Sequence, residues 1–368
     1  MHLLNIVQCT NLGGMEHSNL LRLKGLIGRG HQVEVISLTP LGALAPLLEQ
    51  AGIPATGLEY RGLFGWRSMM AMRQAFVQRR PDAILMTGHN LAATICLMGV
   101  GTKRKVQAIH YHHLEGRRFD VLKWRLIYRV AGAVFDRFTF CSRYIFDEAM
   151  LVSPHLKAKA RTVPNPFDVP TEATAAEKAA AKAAFGIAPS ACVIGNAGWL
   201  VERKRFDVFL KTASEIASRC PDAIFLIAGD GPERSALVSL AAELGIGDKV
   251  RFIGWQPDLA AFYRALDLVV FNSDFDALGR VPIEAAAAGL PVVASLLMGG
   301  LEEALRSPEE IVLFRQHDVG AMTEAAIDLL NDPARRARMG AAARRRMTDF
   351  GSVATHARTI ERLLEGTD

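Results

Sequence analysis

Residues 250–295 read VRFIGWQPDLAAFYRALDLVVFNSDFDALGRVPIEAAAAGLPVVAS, and this stretch decides the predicted fold. Two short apolar runs within it, 268–271 and 291–294, are rich in valine and bounded by turn residues. Such runs are typical of fully buried parallel strands flanked by helices. Between them, the polar loop 272–280 leads into a helix with Pro282 in its first turn, where the missing N–H costs nothing. The stretch therefore predicts an α/β domain with a ligand site outside the carboxyl ends of its strands.

The start of this helix indicates what the site holds. A helix start offers unpaired N–H groups and a partial positive charge, so the backbone of Leu278, Gly279 and Arg280 can hold a pyrophosphate. Glu284 follows in the same turn, and a carboxylate that accepts two hydrogen bonds suits the paired hydroxyls of a ribose. The competing interpretation is that Asp276 is an ordinary loop residue and Glu284 an ordinary charge near a helix start.

The segment that ends at Ser295 resembles the pattern S-x-x-E-G-F-G-x-x-x-x-E-A-x-A-x-G-x-P-V-V-A-S of glycosyltransferase family 4, with Asp276 in place of the first glutamate. The resemblance implies a GT-B fold, in which two Rossmann-like domains face each other across a cleft. It also implies retaining transfer from a nucleotide-diphosphate sugar. By this resemblance Glu284 binds the nucleotide ribose, while Asp276 and the backbone that follows, from Ala277 onward, meet the donor sugar.

The composition is that of a globular protein with room for two domains. Hydrophobic residues make up 50% and charged residues 22% of the 368 residues. The longest apolar region, 83–101, is interrupted by His89 and Asn90, so no transmembrane helix is expected. The first residues lack the features of a signal peptide, which predicts a cytoplasmic protein. Five scattered cysteines, without metal-like spacing, are predicted to be reduced and structural.

The positive charge suits an anionic partner. The formal net charge is +5, which fits a nucleotide diphosphate, a lipid headgroup or nucleic acid. The arginine-rich run 335–346 alternates with Ala and Met at helical spacing and predicts a solvated helix face, so no nucleic-acid partner is expected.

Two segments, 62–73 and 117–129, mix basic residues with Trp, Phe and Met. They fit either an anionic membrane surface or ordinary amphipathic helices. The resemblance favours the membrane, because many family 4 enzymes are peripheral membrane proteins that glycosylate lipid-linked acceptors in cell-envelope polysaccharide biosynthesis. The location expected from it is the cytoplasm, including the inner face of the cytoplasmic membrane.

The first half of the chain alternates short apolar runs with amphipathic stretches, which indicates βα units. Between the first strand and helix, Gly13 and Gly14 allow the backbone to approach a ligand at a helix start. A tight turn that binds no ligand is the alternative explanation for these two glycines. In family 4 the matching Gly-Gly-x-Glu loop, which ends here at Glu16, closes over the donor diphosphate and lines the acceptor side.

Three histidines lie at the end of a predicted strand, in KVQAIHYHHLEG (105–116). Strand periodicity places His110 and His112 on one face and His113 on the other. Family 4 members typically have a histidine here that binds a sugar hydroxyl or orients the reacting ends, and the resemblance assigns this role first to His112 and second to His110. A zinc site is the alternative, but no further ligand with suitable spacing follows.

The segment TVPNPFDVP (162–170) resembles the I-P-N-G-V-D that ends the first domain in the family. It predicts an acceptor-binding Rossmann-like domain over 1–165 and a linker over 166–190 that contains a helix from Thr174 to Phe185. A nucleotide-sugar-binding Rossmann-like domain over 191–350 follows. The last residues, 351–368, are predicted to form a helix that packs back on the first domain.

The turn after the next predicted strand, which starts at Gly198, resembles the family's G-R-L-x-x-x-K-G, in which Arg and Lys bind the donor phosphates. Lys204 falls on the Lys position, whereas Trp199 replaces the Arg. Arg203 or Arg205 is expected to supply the missing charge, because a pyrophosphate leaving group needs compensation. The alternative is a basic loop that only caps a strand.

The resemblance, taken with the residues that carry it, implies a retaining glycosyltransferase that needs no metal or other cofactor, with His112, His110, Lys204 and Asp276 as the catalytic group. Its partners would be a nucleotide-sugar donor and a glycan, lipid-linked or small-molecule acceptor. Two other functions fit the same fold. One is a nucleotide-sugar- or lipid-binding protein that has lost catalysis, and the other is a sugar epimerase.

Overall fold

The computed structural model describes residues 1–11, 13–62, 65–110, 118–256, 258–296 and 298–367. The chain forms two compact units. Unit 1 combines Met1–Phe167 with Gly351–Asp368, and unit 2 is the intervening Asp168–Phe350. Most of the stretch predicted as a linker therefore belongs to unit 2.

Strands and helices alternate along most of the chain. In chain order the strands are β1 (His2–Val7), β2 (Gln32–Ser37), β3 (Ala55–Gly57), β4 (Ala83–Thr87), β5 (Arg104–Ile109), β6 (Arg137–Phe140), β7 (Ala160–Thr162), β8 (Cys192–Ala197), β9 (Ala223–Ala228), β10 (Val250–Phe252), β11 (Leu268–Phe271), β12 (Phe275–Asp276), β13 (Val292–Ser295), β14 (Met298–Gly299) and β15 (Val312–Phe314). The helices are α1 (Gly14–Ile27), α2 (Ala45–Gln50), α3 (Trp66–Gln78), α4 (Leu91–Cys96), α5 (Arg118–Val134), α6 (Arg143–Val152), α7 (Ala175–Ala184), α8 (Phe206–Arg219), α9 (Arg234–Glu243), α10 (Ala260–Ala265), α11 (Arg280–Ala287), α12 (Leu301–Ala304), α13 (Val319–Asn331), α14 (Pro333–Gly351) and α15 (Val353–Glu365).

Unit 1 is built on a seven-stranded parallel sheet in the order β3-β2-β1-β4-β5-β6-β7. Every residue of β4 is buried, as expected of a parallel strand covered on both faces. α15 packs against α1 and β5, and Ile360 of α15 shares a hydrophobic core with Leu23 and Val106. The last helix of the chain thus completes the core of the unit that contains the first strand.

Unit 2 is built on a six-stranded parallel sheet in the order β10-β9-β8-β11-β13-β15. Phe209, Phe225 and Val270 lie in its core. β8 and β11 are neighbours, so the segments that follow them emerge at the same edge of the sheet. Both sheets confirm the predicted α/β fold class.

The helix predicted at 174–185 is confirmed as α7, and its start shows why it forms there. Thr174 accepts a hydrogen bond from the Glu177 backbone at 3.3 Å, while the Glu177 side chain accepts one from the Thr174 backbone at 2.8 Å. This reciprocal cap satisfies two amides that a helix start otherwise leaves unpaired. Within the described ranges, no helix combines the length and the apolar character that crossing a bilayer requires.

Candidate functional site

Two glycine turns at the edge of the unit 2 sheet lie directly against each other. Gly198, after β8, donates its backbone N–H to Ala228 at 2.9 Å. A Cβ atom on Gly229, after β9, would lie 1.8 Å from the carbonyl oxygen of Gly198, and Gly229 has φ 137°, so only glycine fits. Trp199 follows Gly198 with 61% of its surface exposed. The indole therefore lies in solvent at the position where the family pattern has a phosphate-binding arginine.

Lys204 and Asp276, 72 residues apart in sequence, form an ion pair at this edge. The Lys204 Nζ lies 2.5 Å from the Asp276 Oδ2, and their side chains are 13% and 20% exposed. The ammonium also lies over the Phe271 ring, 5.6 Å from its centroid. The structure thus brings together two residues that the sequence predicted for one site.

The two arginines beside Lys204 have different surroundings. The Arg203 guanidinium donates to the backbone carbonyl of Phe275 at 3.3 Å, and the Arg203 carbonyl accepts the Asp274 N–H at 2.8 Å. Arg205 instead makes two hydrogen bonds to Asp207, each 3.0 Å long, at the start of α8. Of the two, Arg203 is the one held against the segment that contains Asp276.

Residues Ala277 to Gly279 connect this ion pair to α11. The carbonyl of Ala277 accepts the N–H of Gly300 at 3.2 Å, and β12 pairs in parallel with β14 just before it. Leu278 is buried, and Gly279 has φ 79° and ψ 67° at the position before the helix. Gly279 is the N-cap residue of α11 and has no side chain with which to cap it, so α11 begins at the sheet edge directly after this glycine.

Glu284 lies one turn into α11, and each of its oxygens has a donor. The Arg280 Nε donates to Oε1 at 2.5 Å, and the Tyr263 hydroxyl donates to Oε2 at 2.9 Å. Tyr263, on α10, is buried, and burial together with the Glu284 charge raises the pKa of its phenol well above the usual range. Tyr263 was not predicted from the sequence, since no motif marks a tyrosine 21 residues before its partner.

In unit 1, Gly13 and Gly14 lead into α1, and Glu16 folds back over this turn. A Cβ atom on Gly13 would lie 2.4 Å from Glu16 Oε2. The Cys9 thiol lies 3.7 Å from the other carboxylate oxygen, and burial raises its pKa. A small pocket at this edge of the sheet is lined by Val7, Gln8, Cys9, Met15, Glu16, Asn19 and Thr87.

Beneath this pocket lies a buried polar network centred on Arg22. Arg22 donates to His356 Nε2 at 2.9 Å and lies 3.1 Å from His110 Nε2, and because guanidinium only donates, both nitrogens accept. His356 Nδ1 donates to the Pro164 carbonyl at 2.7 Å, so this imidazole is neutral. Burial, then the Arg22 charge, lowers the pKa of both histidines well below the usual range, and burial lowers that of Arg22 to about 10. His112 and His113 lie outside the described residues.

Asp274 and Asp276 have a spacing at which two carboxylates can share a metal ion, but the structure gives them different partners. Asp276 pairs with Lys204, whereas Asp274 lies 2.7 Å from His317 Nε2 and 3.9 Å from an Arg205 nitrogen. Across the described ranges, no three His, Cys, Asp or Glu side chains are gathered as metal ligands would be. All five cysteines are free.

Solved structures share this architecture. HepE of Anabaena, crystallised with UDP-glucose, matches with a TM-score of 0.86 at 20% identity and covers 100% of both chains. A glycosyltransferase from Rickettsia africae matches with a TM-score of 0.84 at 14% identity, covering 99% of this chain and 98% of that one. Two Rossmann-like α/β units of this kind define a GT-B protein.

Two sequence-family models match successive parts of the chain. The model of Glycosyltransferase Family 4 matches residues 12–170, and that of Glycosyl transferases group 1 matches residues 177–346. The chain belongs to glycosyltransferase family 4. It is 37% identical over 198 residues to a D-inositol 3-phosphate glycosyltransferase from Nocardia farcinica, a match that covers 51% of this chain and 43% of that protein. The chain thus spans less than half the length of this curated relative.

Proposed function

We propose that the protein transfers a sugar from a nucleoside-diphosphate sugar to a hydroxylated acceptor. The observation that carries the proposal is the Lys204–Asp276 pair beside the start of α11, with Glu284 one turn further on. This edge of a parallel sheet is where such folds bind ligands. It offers the Asp276 carboxylate for sugar hydroxyls, the positive charge of Lys204 and of the start of α11 for a diphosphate, and the Glu284 carboxylate for a ribose.

The proposed donor site holds the diphosphate by two means. Lys204 exchanges part of its contact with Asp276 for a phosphate oxygen, and the backbone amides of Leu278, Gly279 and Arg280 donate to the others. Gly198 keeps the facing turn free of side-chain bulk, and Arg203 adds a cation close by. Because these groups neutralise the diphosphate, the proposed reaction needs no metal ion.

The proposed chemistry retains the configuration at the anomeric carbon, as the family resemblance implies. The bond from the anomeric carbon to the diphosphate oxygen breaks through an oxocarbenium-like transition state. The acceptor oxygen bonds to the same face, and its proton passes to the leaving phosphate. Lys204 and the start of α11 stabilise the charge that develops on the diphosphate. Asp276 holds the donor sugar and, through its ion pair, the Lys204 ammonium.

Unit 1 is proposed to bind the acceptor beside the turn that contains Gly13, Gly14 and Glu16. His112 is the proposed contact to a sugar hydroxyl. His110, buried and neutral beside Arg22, has its Nε2 occupied as an acceptor, so it is a poor candidate for the base that an epimerase needs. Because the Nocardia relative is named for an inositol phosphate, a phosphorylated polyol belongs in the first acceptor screen.

We also propose that unit 1 contacts an anionic membrane surface through one face. α4 packs against both α3 and α5, and these helices expose large apolar side chains, including Trp66 at 63% and Leu122 at 60%. We call this surface the three-helix face; its apolar members are Trp66, Met70, Val77, Ile95, Met98, Leu122 and Leu126.

Charge supports this assignment of the three-helix face. Exposed Arg67, Lys123, Arg125 and Arg129 flank the apolar side chains, and neither α3 nor α4 contains Asp or Glu. On α3, Trp66, Met70 and Val77 recur at intervals that place them on one side of the helix. Apolar side chains rimmed by basic ones suit the boundary between anionic headgroups and acyl chains.

The first experiment is a calorimetric screen of UDP, GDP, ADP and dTDP and their sugar conjugates, with and without EDTA. We expect one nucleoside diphosphate to bind with an affinity that EDTA does not alter. We then expect turnover in which the anomeric configuration, followed by NMR, is retained. Lys204→Ala should lower turnover about 100-fold, whereas Arg205→Ala, which breaks the contact to Asp207, should leave nucleotide affinity unchanged. Binding without turnover on any acceptor would favour the non-catalytic alternative.

A further inference from the structure

Tyr263 lies outside the sequence motifs, yet its hydroxyl ends at the proposed ribose carboxylate. The ring is buried on α10, and the O–H lies 2.9 Å from Glu284 Oε2 and 3.5 Å from the Val281 carbonyl. On the other side of the carboxylate, Arg280 donates to Oε1. The Glu284 carboxylate is therefore held by one donor at each oxygen, and its side chain is only 15% exposed.

This arrangement determines how the carboxylate can accept further hydrogen bonds. An ionised carboxylate has about four acceptor positions, two on each oxygen. Arg280 and Tyr263 occupy one on each side, which leaves one on each oxygen and fixes the plane of the group. Two acceptors on one rigid plane match the two adjacent hydroxyls of a ribose. Because burial keeps the Tyr263 phenol protonated, its hydroxyl remains a donor throughout the neutral range.

We infer that Tyr263 is a positioning residue, which orients Glu284 so that the site selects ribonucleotides over 2′-deoxyribonucleotides. The inference rests on the proposed role of Glu284 and adds to it the residue that makes the contact selective. Without the Tyr263 hydroxyl, the carboxylate rotates about its terminal bond, and the two free acceptor positions no longer coincide with both ribose hydroxyls.

The experiment measures affinities of the full chain for UDP, GDP and ADP and for their 2′-deoxy forms by calorimetry. Wild-type protein should bind the preferred ribonucleotide about 10-fold more tightly than its deoxy form, since one hydrogen bond to a charged group is lost. Tyr263→Phe should weaken binding of the ribonucleotide about 10-fold and leave that of the deoxy form nearly unchanged. Tyr263→Met, which also lacks the hydroxyl, should likewise bind the ribonucleotide and its deoxy form with nearly equal affinity.

Ile283→Val is the matched control, because Ile283 is buried on the same turn of α11 as Glu284 and its side chain has no polar group. It should lower the melting temperature while the ratio of affinities stays at the wild-type value. A wild-type ratio retained in Tyr263→Phe and Tyr263→Met overturns the inference and leaves the role of Glu284 intact. Wild-type protein that binds both nucleotide forms equally, or none, overturns that role and the inference with it.

Discussion

At the scale of single residues, Glu284 has the most specific prediction. Glu284→Ala should weaken nucleoside-diphosphate binding about 10- to 100-fold, because it removes a charged acceptor and leaves the Arg280 and Tyr263 donors without their partner. Calorimetry with the nucleotide found in the screen measures the change. Glu215→Ala, at an exposed position of α8 in the same unit, should leave the affinity as it is. Equal affinities for the two variants would contradict the assignment.

Residues that form a pattern along the chain were predictable, and those that meet only through packing were not. Lys204, Asp276 and Glu284 were named because each stands at a fixed place in a motif that resembles the family's pattern. Tyr263 was missed because its contact depends on how α10 lies beside α11. Arg22 was missed for a related reason, since its partner His356 is 334 residues away on the last helix.

At the scale of elements, the start of α11 depends on Gly279. Gly279→Ala should lower the free energy of unfolding by about 1 to 2 kcal/mol, since φ there is 79° and alanine adopts the left-handed region at a cost. The new Cβ would also lie 3.2 Å from Pro282 and 3.3 Å from Leu301. Urea titration measures the stability, and nucleotide affinity should fall because the helix start shifts.

Gly320→Ala is the matched control for this helix start. Gly320 lies within α13, and the heavy atom nearest to a Cβ atom added there, Asp318 Oδ1, would be 3.9 Å away. Because alanine is the better helix former, this variant should be as stable as the wild type or up to about 1 kcal/mol more stable. A Gly279→Ala protein that matches it in stability and nucleotide binding would contradict the proposed use of α11.

The order of elements was predictable in detail, because buried parallel strands and amphipathic helices have different periods. The predicted helix at 174–185 and the strands on either side of the 272–280 loop were found within about two residues. The prediction of a linker over 166–190 did not include the packing of its helix. This helix, α7, packs against α10, and a packing partner cannot be inferred from an Ala-rich segment alone.

At the scale of the whole molecule, the Arg22 network should make unit 1 sensitive to acid. The folded-state pKa values of His110 and His356 lie well below the usual value of about 6.5, so the unfolded chain binds protons that the folded chain does not. Stability is therefore fully present above about pH 6.5 and is lost as pH falls below it. The slope contributed by each histidine should approach about 1.4 kcal/mol per pH unit at most, where the unfolded histidine is protonated and the folded one is not.

Urea titrations between pH 7.5 and 5, read by hydrogen exchange of α1 amides, measure this slope. His356→Asn keeps an acceptor for Arg22 and a donor for Pro164 but cannot titrate, so it should remove the contribution of one histidine. A slope that is the same in the variant and the wild type would show that His356 is not part of the acid response.

The three-helix face gives a prediction for the intact protein and a bilayer. The double variant Trp66→Glu, Leu126→Glu should lose most binding to vesicles rich in anionic phospholipid in a flotation assay, because each carboxylate opposes both burial and the lipid charge. Leu151→Glu, at an exposed position of α6 outside this face, should float like the wild type. Wild-type protein that stays with the aqueous fraction at low salt would rule out the proposed contact.

The chain path has a consequence for synthesis. Unit 2 is continuous in sequence, whereas unit 1 takes α15 from beyond the end of unit 2. During translation, all of unit 2 leaves the ribosome before Ile360 can pack against Leu23, and before His356 can reach Arg22. Unit 1 can therefore complete its core only after unit 2 has been made, and a nascent chain holds the cationic Arg22 without one of its two imidazole partners until α15 emerges.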